Sequence, residues 1–248
     1  MRLHVTGATG YLGSELVRLR PDASTERIEI RDADAVDDLL HRVRPDVVIH
    51  TAYRQHGPAA REINVDGAEN VARAAARIGA RLLHLSSDVV FDGRKGTPYV
   101  ENDELSPVNE YGRTKADAER VAAAAHPEAL LVRTSLILGG EQPSKHELAA
   151  HEPGTWFTNE IRSPVQVTDL AEALLELAEL EISGLLHVAG ADSVSRAELA
   201  GLVARRPVAT AEAPPTRPLD CRLDSSRAQA LLRTRLRGVR DVLPRRRA

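Results

Sequence analysis

The feature that most constrains this chain is an alternation: short apolar runs are followed by helical patterns almost from end to end. Such alternation belongs to a parallel sheet covered by helices. Leu3-His4-Val5 reads as the first strand and Tyr11 to Leu19 as the helix after it. Val47-Val48-Ile49, entered through Pro45-Asp46, is a buried strand. From Asn64 to Ile78, residues Val65, Ala68, Val71, Ala72, Ala75 and Ile78 fall on one helical stripe, and Gly79 supplies a C-cap. Leu82 to Leu85, Leu130-Leu131-Val132 and Gly184 to Val188 complete the strands. Thr168 is expected to cap a helix running towards Leu180, and Ser195 with Glu198 forms a capping box for the next. Ser144 to Ile161 shows no clear period, holds the only Trp and reads as a long surface insertion. Ala211 to Pro218 is a proline-rich loop.

At 248 residues the chain is long enough for one α/β domain and short for two. Lys and Arg are spread throughout and the formal net charge is -3, which argues against a nucleic-acid face; Arg245-Arg246-Arg247 reads as a solvated tail. No apolar run approaches the roughly 20 residues needed to span a bilayer. Cys221 is the single cysteine, so an internal disulfide is impossible and no metal site is expected. A strand pattern starting at residue 2 leaves no room for a signal peptide, making the reducing cytoplasm the expected compartment.

Strand one runs into Thr6-Gly7-Ala8-Thr9-Gly10-Tyr11-Leu12-Gly13, a G-x-x-G-x-x-G string. Glycines there permit a tight turn and let backbone amides approach a pyrophosphate, while the following helix aims its positive end at the same group. Ordinarily a charged residue at the tip of strand two, about 20 residues on, reads the ribose. Here Arg27-Ile28-Glu29-Ile30 is the one strand candidate between Gly13 and Val47. Either it is strand two, with Arg31 and Asp32 near the ribose, or it is strand three and strand two is lost, with Asp32 and Ala33 beside the adenine. The run of Asp32-Ala33-Asp34 into the helix pattern Val36 to Val43 favours the second arrangement.

Tyr111-Gly112-Arg113-Thr114-Lys115 is a Y-x-x-x-K whose ends share one helical face. A lysine ammonium there holds the ribose of a nicotinamide cofactor and lowers the phenol's pKa, and the phenol exchanges a proton with a carbonyl oxygen. Ser86-Ser87 ends the strand Leu82 to Leu85, where open α/β sheets bind ligands, and a hydroxyl there steadies charge on that oxygen. His4, His50 and His84 read as packing residues. The absence of a G-x-S-x-G elbow removes an α/β-hydrolase reading.

These residues resemble the extended short-chain dehydrogenases/reductases, and within them the dTDP-4-dehydrorhamnose reductase branch. His84-Leu85-Ser86-Ser87-Asp88-Val89-Val90-Phe91-Asp92-Gly93 is similar to that branch's S-T-D-Y-V-F-D-G string, with Val89 in place of its Tyr. Pro98 to Asp103, Pro107, Tyr111 to Lys115, Arg162-Ser163-Pro164-Val165, Asp169-Leu170-Ala171 and Arg217-Pro218-Leu219-Asp220 continue the likeness nearly to the C-terminus. The resemblance implies a Rossmann-like doubly wound parallel sheet within a single domain over 1–248. Segments near 139–165 and 190–248 would contribute a small C-terminal substrate lobe. It implies NADP or NAD as cofactor and an oxidoreductase acting on a small carbonyl substrate or nucleotide sugar. Neither nucleic acid nor membrane is an expected partner, and a homodimer is a candidate assembly. By position, Ser87, Tyr111 and Lys115 take the catalytic roles. Gly7, Thr9, Gly10, Tyr11, Leu12, Gly13, Ala52, Tyr53, Thr134, Ser135 and Leu136 would meet the cofactor, and Asp88, Val89, Trp156 and Arg162 the substrate. The chain is shorter than that family, with material missing around strand two, and the stretch after Tyr53 lacks the acidic run of the rhamnose enzymes. The alternatives are a silent NAD(P)-binding subunit, as in the regulatory subunit of methionine adenosyltransferase, or a non-redox enzyme on the same scaffold.

Overall fold

A computed structural model describes residues 1–243. Five parallel strands form the central sheet in the order β1 (Leu3–Thr6), β2 (Val47–His50), β3 (Arg81–Ser87), β4 (Leu130–Thr134) and β5 (Gly184–His187). Alternation along each strand divides the core in two. Val5, Ile49, Leu83, Val132 and Leu186 face α1 (Tyr11–Leu19) and the helix Val167–Ala178. Val48, Leu82 and Leu131 face the opposite layer, made of α2 (Ala33–Val43), α4 (Asp66–Arg77) and α5 (Glu110–Ala125), with the short α3 (Ala60–Asn64) leading into α4. Gly79 follows α4 with a φ of +69°, the left-handed conformation expected of a C-capping glycine.

Arg27-Ile28-Glu29-Ile30 is neither strand two nor strand three. Among the described residues, a single bridge, Ser24 to His4, is all that pairs with the outer edge of β1. The reason lies in another layer. Asn70 of α4 donates to the carbonyls of both Ile30 and Arg31, at 3.1 Å each, while Ile30 is buried against α4. The Asp32 carboxylate then accepts from the Ala35 amide to start α2. Carbonyls needed for a strand ladder are already spent, and the chain turns.

Ser144 to Ile161 is no featureless insertion. Ser144 and Glu147 form a reciprocal capping box for α6 (Lys145–His151), followed by short strands at Thr155–Phe157 and Ile161–Arg162. These pair with Ala209–Ala211 and Val194–Ser195, and α6 packs beside the helix Arg196–Ala204. At Ser195 only half of the expected box is present, the side chain accepting from the Glu198 amide. Thr168 caps nothing: Gln166 accepts from the Asp169 amide at 2.7 Å, and the helix Val167–Ala178 ends before Leu180. The Arg245-Arg246-Arg247 tail lies outside the described residues.

Beneath the carboxyl end of the sheet, on the α4 and α5 side, lies a buried polar row. Thr6 and His50 are 2.6 Å apart, and the rings of His50 and His84 have centroids separated by 5.1 Å. Burial lowers the pKa of His50 to about 3, and those of His4 and His187 to about 4. The folded chain thus keeps these rings neutral at pH values where the unfolded chain protonates them near 6.5. Between pH 6.5 and 4 the unfolded state binds more protons, so stability falls as pH falls. Denaturant midpoints measured across that window should drop, and His50→Phe should flatten the dependence.

Candidate active site

Glycine makes the turn after β1 possible. Gly7 has a φ of +71°, and a Cβ on it would come within 2.7 Å of the Ala52 amide nitrogen; one on Gly13 would collide with the Gly7 carbonyl. Backbone is therefore packed on backbone, leaving the start of α1 open as an anion cradle. At the other end of the same region, Asn109 caps α5 by accepting from the Gly112 amide at 2.8 Å. That places Tyr111 in the first turn and Lys115 one turn on. Ser87 stands at the tip of β3, facing them.

Ser87, Tyr111 and Lys115 all line one cleft of about 1080 Å³, together with Tyr11, Leu12 and Gly13 from the turn. The sheet floor adds Thr134, Ser135 and Leu136, and the rim adds Asp88 and Val89. Gly7, Thr9 and Ala52 line an adjoining cleft of about 360 Å³, which shares Gly10 and Tyr53 with the first. Three expected residues lie elsewhere. Asp32 and Ala33 line neither cleft, because Asp32 is consumed in capping α2. Trp156 also lies outside, lying under the Arg196 guanidinium at 5.3 Å.

Loss of water from the cleft wall pushes the Tyr111 phenol well above its ordinary pKa; the Tyr53 and Asp88 charges act the same way, and the Ser87 hydroxyl opposes them. Lys115 does not lower it in this conformation. The ammonium instead donates to the Leu85 carbonyl, and burial brings its pKa down to about 8. Asp88 is buried and accepts from Ser135 at 2.6 Å and Ser87 at 3.2 Å, with Arg162 3.6 Å away. Desolvation raises its pKa, and Arg162 is the largest force holding it down. Arg162 lines the cleft, but its nitrogens serve Glu160 and the Pro218 and Leu219 carbonyls.

Several residues lining or supporting the cleft carried no sequence signal. Asn64 clamps Arg54 through both backbone groups at 2.8 Å and donates to Thr114 of α5 at 2.9 Å, fixing the loop after β2 against the helix that carries Tyr111 and Lys115. Lys145 of α6 reaches across to the Tyr53 hydroxyl at 3.2 Å and to Gln55. Arg196 and Arg217 form a cationic wall, Arg217 held by Glu160 at 2.7 Å and stacked on Phe157. Only contacts between distant segments reveal these roles.

A glycine turn between strand and helix, at the carboxyl edge of a parallel sheet, defines a dinucleotide-binding α/β protein with a hydroxyl, a phenol and an ammonium in one cleft. Residues 1–246 match the family described as the RmlD substrate binding domain, and the chain belongs to that family. It is 35% identical over 220 residues to a dTDP-4-dehydrorhamnose reductase of Mycobacterium tuberculosis, covering 79% of this chain and 72% of the relative. It is 31% identical over 240 residues to the methionine adenosyltransferase 2 subunit beta of Rattus norvegicus, covering 82% and 71%. A dTDP-4-dehydrorhamnose reductase of Bacillus anthracis, solved in complex with NADP, superposes with a TM-score of 0.82 at 25% identity over 96% of this chain and 95% of that one.

Proposed function

We propose that this chain is an NAD(P)-dependent oxidoreductase that reduces a keto group of a nucleotide sugar, with Ser87, Tyr111 and Lys115 as its catalytic residues. The observation that carries this reading is the meeting of all three side chains in the cleft that runs to the glycine turn. The cradle of Gly7, Gly10 and Gly13 fits a dinucleotide pyrophosphate, since any side chain on Gly7 or Gly13 would close it. Thr134, Ser135 and Leu136 then face the nicotinamide side, and 139–165 with 190–243 supply the substrate lobe. Arg196 and Arg217 on that lobe suit an anionic substrate such as a sugar nucleotide.

The cofactor, when bound, supplies hydride. Tyr111 delivers the proton: desolvation keeps its phenol protonated, which is the state reduction requires. Ser87 donates a hydrogen bond to the same carbonyl oxygen as it gains charge. Lys115 contributes a positive charge near the ribose and the phenol. Because its ammonium has a pKa of about 8, turnover and cofactor affinity should both decline as pH rises through that value. A pH profile with no loss between 7 and 9 would remove Lys115's charge from the mechanism.

The likeness to a methionine adenosyltransferase subunit beta supports a second reading, a cofactor-binding partner protein. One experiment separates the two. Purified protein is titrated with NADPH and NADH by fluorescence, and oxidation is then followed with a panel of keto nucleotide sugars. Binding with turnover supports the reductase, binding without turnover the partner protein, and no binding defeats both. No helix among the described residues is long and apolar enough to cross a membrane. Together with the lone buried thiol of Cys221, that supports a cytoplasmic setting. A homodimer is part of the reading and is tested by light scattering.

A further inference from the structure

The larger and smaller clefts meet at Gly10, Thr51, Tyr53 and Arg54, which line both. A dinucleotide stretched from one to the other has to pass this junction. Residues 139–147, which follow β4, are tied back to it from the opposite wall. Their base is firmly built. The Gly139 carbonyl accepts from Gln166 at 2.8 Å, and Glu147 accepts from the Gly139 and Ser144 amides at 3.2 and 2.9 Å. The Tyr11 hydroxyl accepts from the Gly140 amide at 2.9 Å and donates to the Gln142 carbonyl at 3.1 Å. That pair of bonds anchors the segment to the first turn of α1.

The other attachment is of a different kind. Lys145 donates to the Tyr53 hydroxyl at 3.2 Å and to the Gln55 side-chain carbonyl, with its ammonium 5.6 Å from the Tyr53 ring centroid. Among the described residues no carboxylate pairs with Lys145, and Glu147, two positions on, is already taken by backbone amides. Lys145 and Tyr53 are exposed, whereas Ser144 and Gln166 at the base are buried. A solvated ammonium resting on two neutral acceptors exchanges them for water at small cost. One end of the segment is thus an anchor and the other a catch.

We propose that Lys145, Tyr53 and Gln55 form a clasp across the junction of the two clefts, which opens to pass a dinucleotide and so sets the rate of cofactor exchange. The proposal rests on the dinucleotide-binding reading of the glycine turn. A clasp made both with and without the dinucleotide slows entry and exit alike. Removing it therefore raises both rates and leaves their ratio in place, as expected of a gating element. An ammonium that served only as a ligand for the dinucleotide would behave otherwise, its loss speeding exit alone and weakening affinity.

Stopped-flow fluorescence with NADPH and with NADH measures association and dissociation without any turnover. In Lys145→Met, which keeps the aliphatic stem and removes the ammonium, both rates should rise by about three- to thirtyfold with nearly constant affinity. Gln55→Leu removes one acceptor and should give a smaller rise of the same form. Lys145→Arg retains a donor for both acceptors and should stay near wild type. Lys145 is exposed and Gln55 only partly buried, so folding does not depend on either. Unchanged rates in Lys145→Met would overturn the clasp while leaving dinucleotide binding intact. So would faster dissociation with unchanged association. Failure of NADPH and NADH alike to bind the wild-type chain would remove this proposal together with the reading beneath it.

Discussion

Tyr111→Phe should cut turnover by about two to four orders of magnitude, the range for loss of a positioned proton donor. The phenyl ring keeps its packing against Tyr53, whose ring centroid lies 5.8 Å away, so cleft shape is retained. Only the hydroxyl is removed, and with it the proton that desolvation holds in place. At 1.36 kcal/mol per tenfold, the barrier should rise by about 3–5 kcal/mol, appearing in kcat with NADPH affinity nearly constant. Stopped-flow oxidation of NADPH beside fluorescence titration reads both quantities. Full activity in the variant would take Tyr111 out of the chemistry, whatever its place in the cleft.

Glu119→Ala should destabilise the fold by about 3–5 kcal/mol, the usual result of stripping one partner from a buried ion pair. Glu119 on α5 binds Arg133 on β4 through two hydrogen bonds, of 2.9 and 2.8 Å, and both side chains are almost fully excluded from solvent. Truncation leaves a guanidinium with the Glu101 carbonyl at 3.0 Å and the Phe91 ring at 5.1 Å, neither of which neutralises it. Such a loss is a large fraction of the roughly 5–15 kcal/mol that holds a typical domain together. Since the pair ties α5 to the sheet and α5 carries Tyr111 and Lys115, activity should fall at temperatures where the fold still persists. Urea unfolding of wild type, Glu119→Ala and a Glu119→Leu, Arg133→Leu double variant is the measurement. The double variant should recover much of the loss. A single-variant cost under about 1 kcal/mol would show that the pair is not the anchor described here.

What could be read from the chain in advance was whatever depends on near neighbours. Strand and helix periods, the glycine string and the i, i+4 spacing of Tyr111 and Lys115 are local, and the structure keeps them in place. Ser87 was legible because a strand's carboxyl tip is a ligand-facing position wherever the strand sits. Misreadings cluster where a distant segment competes for the same group. Ile28-Glu29-Ile30 has a strand's composition, yet Asn70, forty residues on from Ile30, takes the carbonyls a ladder would need. Asp32 looked like an adenosine contact and serves instead as a helix cap. Trp156 was expected to meet the substrate and packs under Arg196 outside the cleft. Lys115 was expected to acidify the phenol, and its ammonium is bound to the Leu85 carbonyl instead.

The sequence alone determined the α/β architecture and singled out Ser87, Tyr111 and Lys115, which the fold brings to one cleft, because hydrophobic periods, glycine geometry and one-turn spacing act within a few residues of chain. Tertiary structure alone decided which polar groups are spent and which face the cleft: Arg217 tied to Glu160, Lys115 to the Leu85 carbonyl, and the protonated phenol of Tyr111. A hydrogen bond or charge spent on one partner is lost to another, and burial sets the cost of leaving it unspent. Both depend on which segments meet in space.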